Sequence, residues 1–336
     1  MKRLIPIILI LSACELIIDV PRPDIEEKLI LFSYFQPDSS FSAWITDDRY
    51  VLDDKKLGGI SEVDLRLYED NQLVGTFAER QPPAHMLEFQ GVNNDGLIKG
   101  YYTLDYIAQP DKQYRIEASK PGYQSILAEA SLTSSDYDFD VVGIDSIVHN
   151  ETYYFEDGSE DIVYWAEYFI NVEIDDPAGE NFYLIDMYED VPVIEYYFNP
   201  VLELYDYDSI VSIEIARQKK WFYGTGVLFD QQQFSGRHTI LDDSFFDGKK
   251  YVISLITDVY NHQPRYPTEG PVLPAPIPYI EVKAISKEYF SYLKSLYIQQ
   301  WNSGDPFTEP VSIYSNVENG YGVFAGFQTK IKQFEF

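Results

Sequence analysis

Residues 162–174 read IVYWAEYFINVEI. Ile162, Tyr164, Ala166, Tyr168, Ile170, Val172 and Ile174 fall at every second position. Successive side chains of an extended chain point to opposite sides, so these seven share one face. On a helix the same set would scatter around the axis. The stretch therefore predicts one long, half-buried strand. Asp175-Asp176-Pro177-Ala178-Gly179-Glu180 reads as a loop, and Asn181 to Tyr188 as a returning strand.

The same period runs outward in both directions. Val63, Leu65 and Leu67 alternate with Asp64, Arg66 and Tyr68, and Glu69-Asp70-Asn71 turns the chain into Gln72–Phe77. Tyr114, Ile116 and Ala118 alternate with Arg115, Glu117 and Ser119. Pro121-Gly122 then turns into Tyr123–Ala130. Downstream, Ser209–Arg217, Tyr251–Asp258 and Pro278–Ile285 read as further strands. Turn signals every ten or so residues among such strands predict antiparallel sandwiches. One helix is expected over about 286–301. Ser286 can cap it, Phe290, Leu293, Tyr297 and Trp301 make one apolar face, and Gly304 and Pro306 stop it. A single helix in such a unit is expected to plug an open end. The fold class is all-β: an N-terminal immunoglobulin- or transthyretin-like sandwich over 28–133, then a larger β-sandwich-like domain with one helix over 134–336.

The chain has 336 residues, enough for two ordinary cores, and a hydrophobic fraction of 45% excludes wholesale disorder. Its net charge of -30 disfavours nucleic acid as a partner. The acidity is uneven. No Lys or Arg occurs between Lys120 and Arg217, where 23 Asp and Glu and twelve Tyr fall. Acid mixed with that many aromatics describes a folded, negative surface rather than a disordered tail.

The N-terminus reads MKRLIPIILILSAC, a basic start, an apolar run and two small residues before Cys14, the one cysteine of the chain. That pattern predicts a lipoprotein signal over 1–13, cleaved before an acylated Cys14. Two or more acyl chains hold stably in a membrane. Residues 14–27, with two prolines and alternating acids, read as a tether. No other apolar stretch approaches the ~20 residues that span a bilayer.

Catalytic patterns are missing from the sequence. His85, His149, His238 and His262 lack zinc-pair spacing, and there is no G-x-S-x-G. Asp136, Asp138 and Asp140 begin like an EF-hand loop. Val141 then stands where glycine is needed and Ile147 where a bidentate Glu is needed, so that reading fails. Asp175, Asp176 and Glu180 with Asp242, Asp243 and Asp247 are looser loop candidates for a structural calcium. No other cofactor is expected. His262–Pro278 carries six prolines and reads as a stiff loop, either a partner rim with Arg265 and Tyr266 at its tip or an ordered crossover. Trp221-Phe222-Tyr223-Gly224 is a second rim candidate or a buried strand. In Asn319-Gly320-Tyr321-Gly322-Val323-Phe324-Ala325-Gly326, Asn-Gly suits a turn and Gly322 and Gly326 suit close backbone approach. Asn316 can close that turn, and the whole is expected to be a closing hairpin that seats the last strand.

GYYTLDY (100–106) and KQYRIEASKPGY (112–123) resemble the last strands of transthyretin-like or carboxypeptidase-regulatory-like modules. ISKEYFSYLKSLYIQQ (285–300), GDPFTEPVSIYSNVENGYGVFAGF (304–327), DDSFFDGKKYVISL (242–255) and SEVDLRLYEDNQLVGTF (61–77) together resemble a Bacteroidota lipoprotein family of unknown function, domain of unknown function 4249. The resemblance covers nearly the whole mature chain. It implies an outer-membrane lipoprotein, encoded in many genomes beside TonB-dependent transporters, with no established catalytic residues. The acids behind Cys14 resemble surface-export signals, so lipid anchoring at the cell surface is expected. The expected role is a non-enzymatic accessory or ligand-capture subunit of a TonB-dependent transporter. The alternative is a structural subunit of an envelope assembly or secretion complex.

Overall fold

The last strand of the chain is the spine of the molecule. The computed structural model describes residues 26–48, 58–83, 99–132, 136–154, 160–199, 204–220, 222–225, 233–234, 238–260, 277–302, 308–309 and 311–335. The segment expected to be a signal, Cys14, most of the expected tether, Trp221, Arg265, Tyr266 and the proline-rich stretch 262–276 lie outside these residues.

The first unit contains β1 (Leu29–Phe35), β2 (Ser40–Asp47), β3 (Asp64–Glu69), β4 (Gln72–Thr76), β5 (Ala78–Glu79), β6 (Tyr101–Ile107), β7 (Lys112–Ser119) and β8 (Ile126–Leu132). The second contains β9 (Asp138–Tyr154), β10 (Glu160–Asp175), β11 (Phe182–Asn199), β12 (Leu204–Lys219), β13 (Tyr223–Thr225), β14 (Gln233–Phe234), β15 (His238–Asp242), β16 (Lys250–Tyr260), β17 (Ile277–Ile285), α1 (Lys287–Asn302), β18 (Val317–Glu318) and β19 (Tyr321–Gln333).

One ten-stranded sheet runs β14-β15-β11-β17-β19-β1-β2-β6-β5, with β12 beside β11. It belongs to both units. The sheet β18-β8-β7-β3-β4 covers its first half, and the sheet β13-β16-β10-β9 covers its second half. The N-terminal core lies between the first pair. Its centre is Phe35, Phe41, Tyr114 and Phe324, with contacting ring centroids 4.9 to 5.2 Å apart. The second core joins Ile170, Val172 and Ile174 of β10 to Tyr183, Ile185 and Met187 of β11 across the two sheets. Three members of the alternating row in 162–174 thus face this core, as the period required.

β19 pairs parallel with β1 from Ile30–Tyr321 to Phe35–Gly326. It then pairs antiparallel with β17 from Ile285–Phe327 to Tyr279–Gln333. The split at 133–134 therefore describes the order of the strands but not the packing: Val317 and Phe324 are buried in the N-terminal core.

Three local expectations need correction. The strand after the 175–180 loop does not return beside β10. It crosses to the opposite sheet and pairs with β15, β17 and β12. The Asn319–Gly320 turn makes no hairpin either: β18 pairs with β8 in the smaller sheet and β19 with β1 in the larger one. Asn316 holds this corner, its Oδ1 accepting from Phe324 N–H at 3.0 Å and its Nδ2 donating to the carbonyls of Phe324 and Glu129 at 2.8 and 2.9 Å. Finally, α1 plugs no end. Ser286 caps it, Oγ accepting from Tyr289 N–H at 3.4 Å. Its apolar face lies on the large sheet, Phe290 against Phe182 at 4.7 Å and Tyr289 against Tyr34 at 4.9 Å. Phe182, Leu184, Ile240 and Ile285 offer an apolar patch there that matches the helix stripe. Tyr34 and Phe182 belong to different units, so the helix ties both together.

Candidate functional site

The arch after β10 and the turn after β15 meet at one end of the second sandwich. Pro177 and Gly179, with φ of 122° at the glycine, carry the chain from sheet to sheet. Residues 243–249 curl so that Phe246 inserts into the core and stacks on Tyr251 at 4.4 Å. Gly248 closes the curl with φ of 67°.

This meeting brings Asp176, Asp243 and Asp247 together, with one carboxylate oxygen of each within 4.8 Å of the others. Asp176 and Asp243 are each 4% exposed, whereas Asp247 is open to solvent. Asp176 accepts from Tyr183 O–H at 2.5 Å and from Gly248 N–H at 2.8 Å. Asp243 accepts from the backbone N–H and the side-chain amide of Asn181 at 2.8 and 3.0 Å. Asp247 accepts from Gly179 N–H at 2.8 Å. Each carboxylate thus ties one loop to the other, apart from the Tyr183 bond, which reaches into the core.

Burial raises the pKa of Asp176 and of Asp243 above the usual carboxylate value. The hydrogen bonds oppose that rise, and the neighbouring carboxylates reinforce it. Burial and then Asp176 push the Tyr183 phenol up, so it stays a donor. Three carboxylates this close can hold a hard divalent cation, provided carbonyls or water complete its six to eight oxygens. Without a cation the same groups form a hydrogen-bonded knot.

Of the five aspartates read as cation candidates, three converge. Asp175 is exposed and stands opposite Lys250 in the β10–β16 register. Asp242 accepts from the N–H and hydroxyl of Ser244. Glu180 pairs with Lys287 at 3.0 Å. Asp138 and Asp140 turn to Lys332, at 3.7 and 3.3 Å. Tyr223 belongs to strand β13, opposite Ile256, with Phe222 before it buried in the core, so it stands in no rim loop.

A second charged site was not read from the sequence. Under α1, Asp186 is 2% exposed and lies between Lys219 and Lys283, the latter at 3.1 Å. Lys283 also meets Glu281 at 2.7 Å. Burial acts to lower the Lys283 pKa, but Asp186 and Glu281 together outweigh it and hold the ammonium charged. The signal was present: Asp186 shares its strand face with Phe182 and Leu184, where another apolar residue is expected.

The fold is that of a double β-sandwich protein whose two cores share one sheet. The family model described as domain of unknown function (DUF4249) matches residues 16–333, and the chain belongs to that family. No curated protein matches the chain.

Proposed function

We propose that this protein is a lipid-anchored outer-membrane accessory of a TonB-dependent transporter, acting by binding and without catalysis. One observation carries the reading: the chain enters at one pole, and paired arms leave from the other. β1 begins at Leu29, level with the start of β19. The far end of β19 lies twelve residues on, about 40 Å at strand rise. Beyond it β11 and β12 continue as a two-stranded arm from Val191 to Asn199, a further ~30 Å. β9 and β10 run on past the last β16 pairing at Trp165. Acylation of Cys14 would place the entry pole at the membrane and leave the arms to meet a partner or its cargo. Among the described residues no helix is long and apolar enough to cross a membrane. The knot of aspartates closes the opposite end of this sandwich, where β10 ends and β11 begins.

Affinity purification of the tagged protein from outer membranes tests the proposal. A TonB-dependent transporter is expected in the eluate at comparable yield, and its consistent absence would refute the reading. Deleting 262–276 separates two roles. Lost uptake with an intact complex is the result expected of cargo capture, whereas loss of the complex points to a scaffold.

A further inference from the structure

The smaller sheet of the second unit ends in an edge that, past a bulge at Asn171–Val172, has no covering element among the described residues. β9 is 17 residues long and pairs only with β10 among the described residues. From Gly143–Asn171 to Tyr154–Glu160 the register is unbroken over twelve pairs. Natural edges are blunted by lysine, proline, short length or a covering element. β9 has no Lys and no Pro. Val148 is 68% exposed and its neighbour Ile147 is 50% exposed. Adjacent strand residues face opposite sides, so both faces of this edge present branched apolar side chains to water.

The two strands themselves carry charge of one sign, and it is offset only at one end, where Lys332 meets Asp138 and Asp140 and Lys250 meets Glu173. Further along, β9 contributes Asp145 and β10 contributes Glu167, which have no Lys or Arg partner among the described residues. Neither strand carries a Lys or Arg. His149, 3.8 Å from Glu167, is the one residue on them that can become cationic. The other long edge, β12, differs. It ends in Arg217 and Lys219, with Arg217 held to Asp190 at 2.8 Å. An acidic edge repels a second copy of itself and favours a strand of opposite sign, since directly opposed unlike charges stabilise a pair and like charges destabilise it.

We propose that the outer edge of β9 takes up, by strand addition, an extended Lys- or Arg-bearing segment of a partner polypeptide. Backbone hydrogen bonds along the open edge supply affinity, and the acids of β9 and β10 select a basic strand. The inference stands apart from the transporter reading, because it fixes the chemistry of the partner segment and not the identity of the partner.

The test uses the full chain in detergent and three fluorescein-labelled dodecapeptides. These are Lys-Val-Lys-Thr, Glu-Val-Glu-Thr and Lys-Val-Lys-Pro, each repeated three times. Fluorescence anisotropy is expected to show saturable binding of the first and none of the second. The proline peptide keeps the charge but loses ladder donors, so it is expected to bind at least about tenfold more weakly. Asp145→Lys and Val148→Lys, both at exposed positions, are each expected to weaken the first peptide by about tenfold. Ile215→Lys on β12 is expected to leave it unchanged. Three results would overturn the proposal: no binding of the first peptide, equal binding of the proline peptide, or unchanged binding by both β9 variants. A dimer of the full chain that Val148→Lys dissolves would also overturn it, in favour of a second copy on the edge.

Discussion

The N-terminal sandwich and the arms of the second unit are built from the same alternating strands, yet they end differently. In the first, two sheets close on Leu29, Leu31, Phe35, Phe41, Leu65, Leu67, Tyr114 and Ile116. In the arms the pairing continues after the neighbouring strands have ended, and Val193 and Ile215 of the β11–β12 arm are both more than 40% exposed. Period two therefore marks a strand in both places, but it marks a core only where a second sheet lies opposite. Stability should follow the same division, and four measurements press on it.

The largest effect is expected at Gly322, where β19 joins the two units. Its φ is 109°, and a Cβ there would lie 1.9 Å from the Leu31 carbonyl oxygen. Gly322→Ala must push β1 and β19 apart, at a cost of about 4 kcal/mol or more. Urea unfolding should show loss of the cooperative transition or a midpoint far below that of the parent. An unchanged midpoint would mean that β19 is not the spine.

Asp186→Ala comes next. It leaves Lys283 charged beneath α1 with only Glu281 close by, and breaking a buried pair costs roughly 3–5 kcal/mol. The double variant Asp186→Leu with Lys283→Met removes both charges and should recover much of the loss. If the single and double variants melt alike, the network contributes through packing and not charge.

The aspartate knot should set a smaller, pH-dependent term. Asp176 and Asp243 hold their protons to higher pH when folded than when unfolded. The folded state therefore binds more protons across that window, and stability falls as pH rises from the ordinary carboxylate value through the raised ones. Asp243→Asn should flatten this part of the profile. At neutral pH, millimolar calcium is expected to raise the parent melting temperature and to have less effect on Asp247→Asn. A parent that calcium leaves unmoved is a knot of hydrogen bonds alone.

The smallest effect belongs to the arms. Val193→Ser and Ile215→Ser lie on open faces and should each shift stability by less than about 0.5 kcal/mol. A loss of 2 kcal/mol at either would show that the arm packs on another part of the chain.

Much of this architecture was legible from residue order. The strand expected around Val63–Leu67 is β3, the Asp70–Asn71 turn appears with positive φ at both positions, and α1 begins one residue after its predicted cap. The partners of the strands were not legible. Asn181–Tyr188 looks like the return leg of a hairpin, because a short loop with proline and glycine serves a hairpin and a sheet-to-sheet arch equally well. Asp176, Asp243 and Asp247 were within reach as loop acids. Their convergence, and the role of Asn181 between them, depends on a contact between residues more than sixty positions apart.

The order of residues alone determined that the described residues are mostly β with one helix, because side-chain alternation, turn chemistry and helix caps are local properties. It also determined the acid-only stretch and the lipidation pattern at Cys14. Tertiary structure alone decided that one strand serves two cores, that three of many aspartates meet, and that β9 pairs with no second strand among the described residues. Those outcomes rest on which strand lies beside which, a long-range choice settled by mutual burial of faces that a local pattern does not encode.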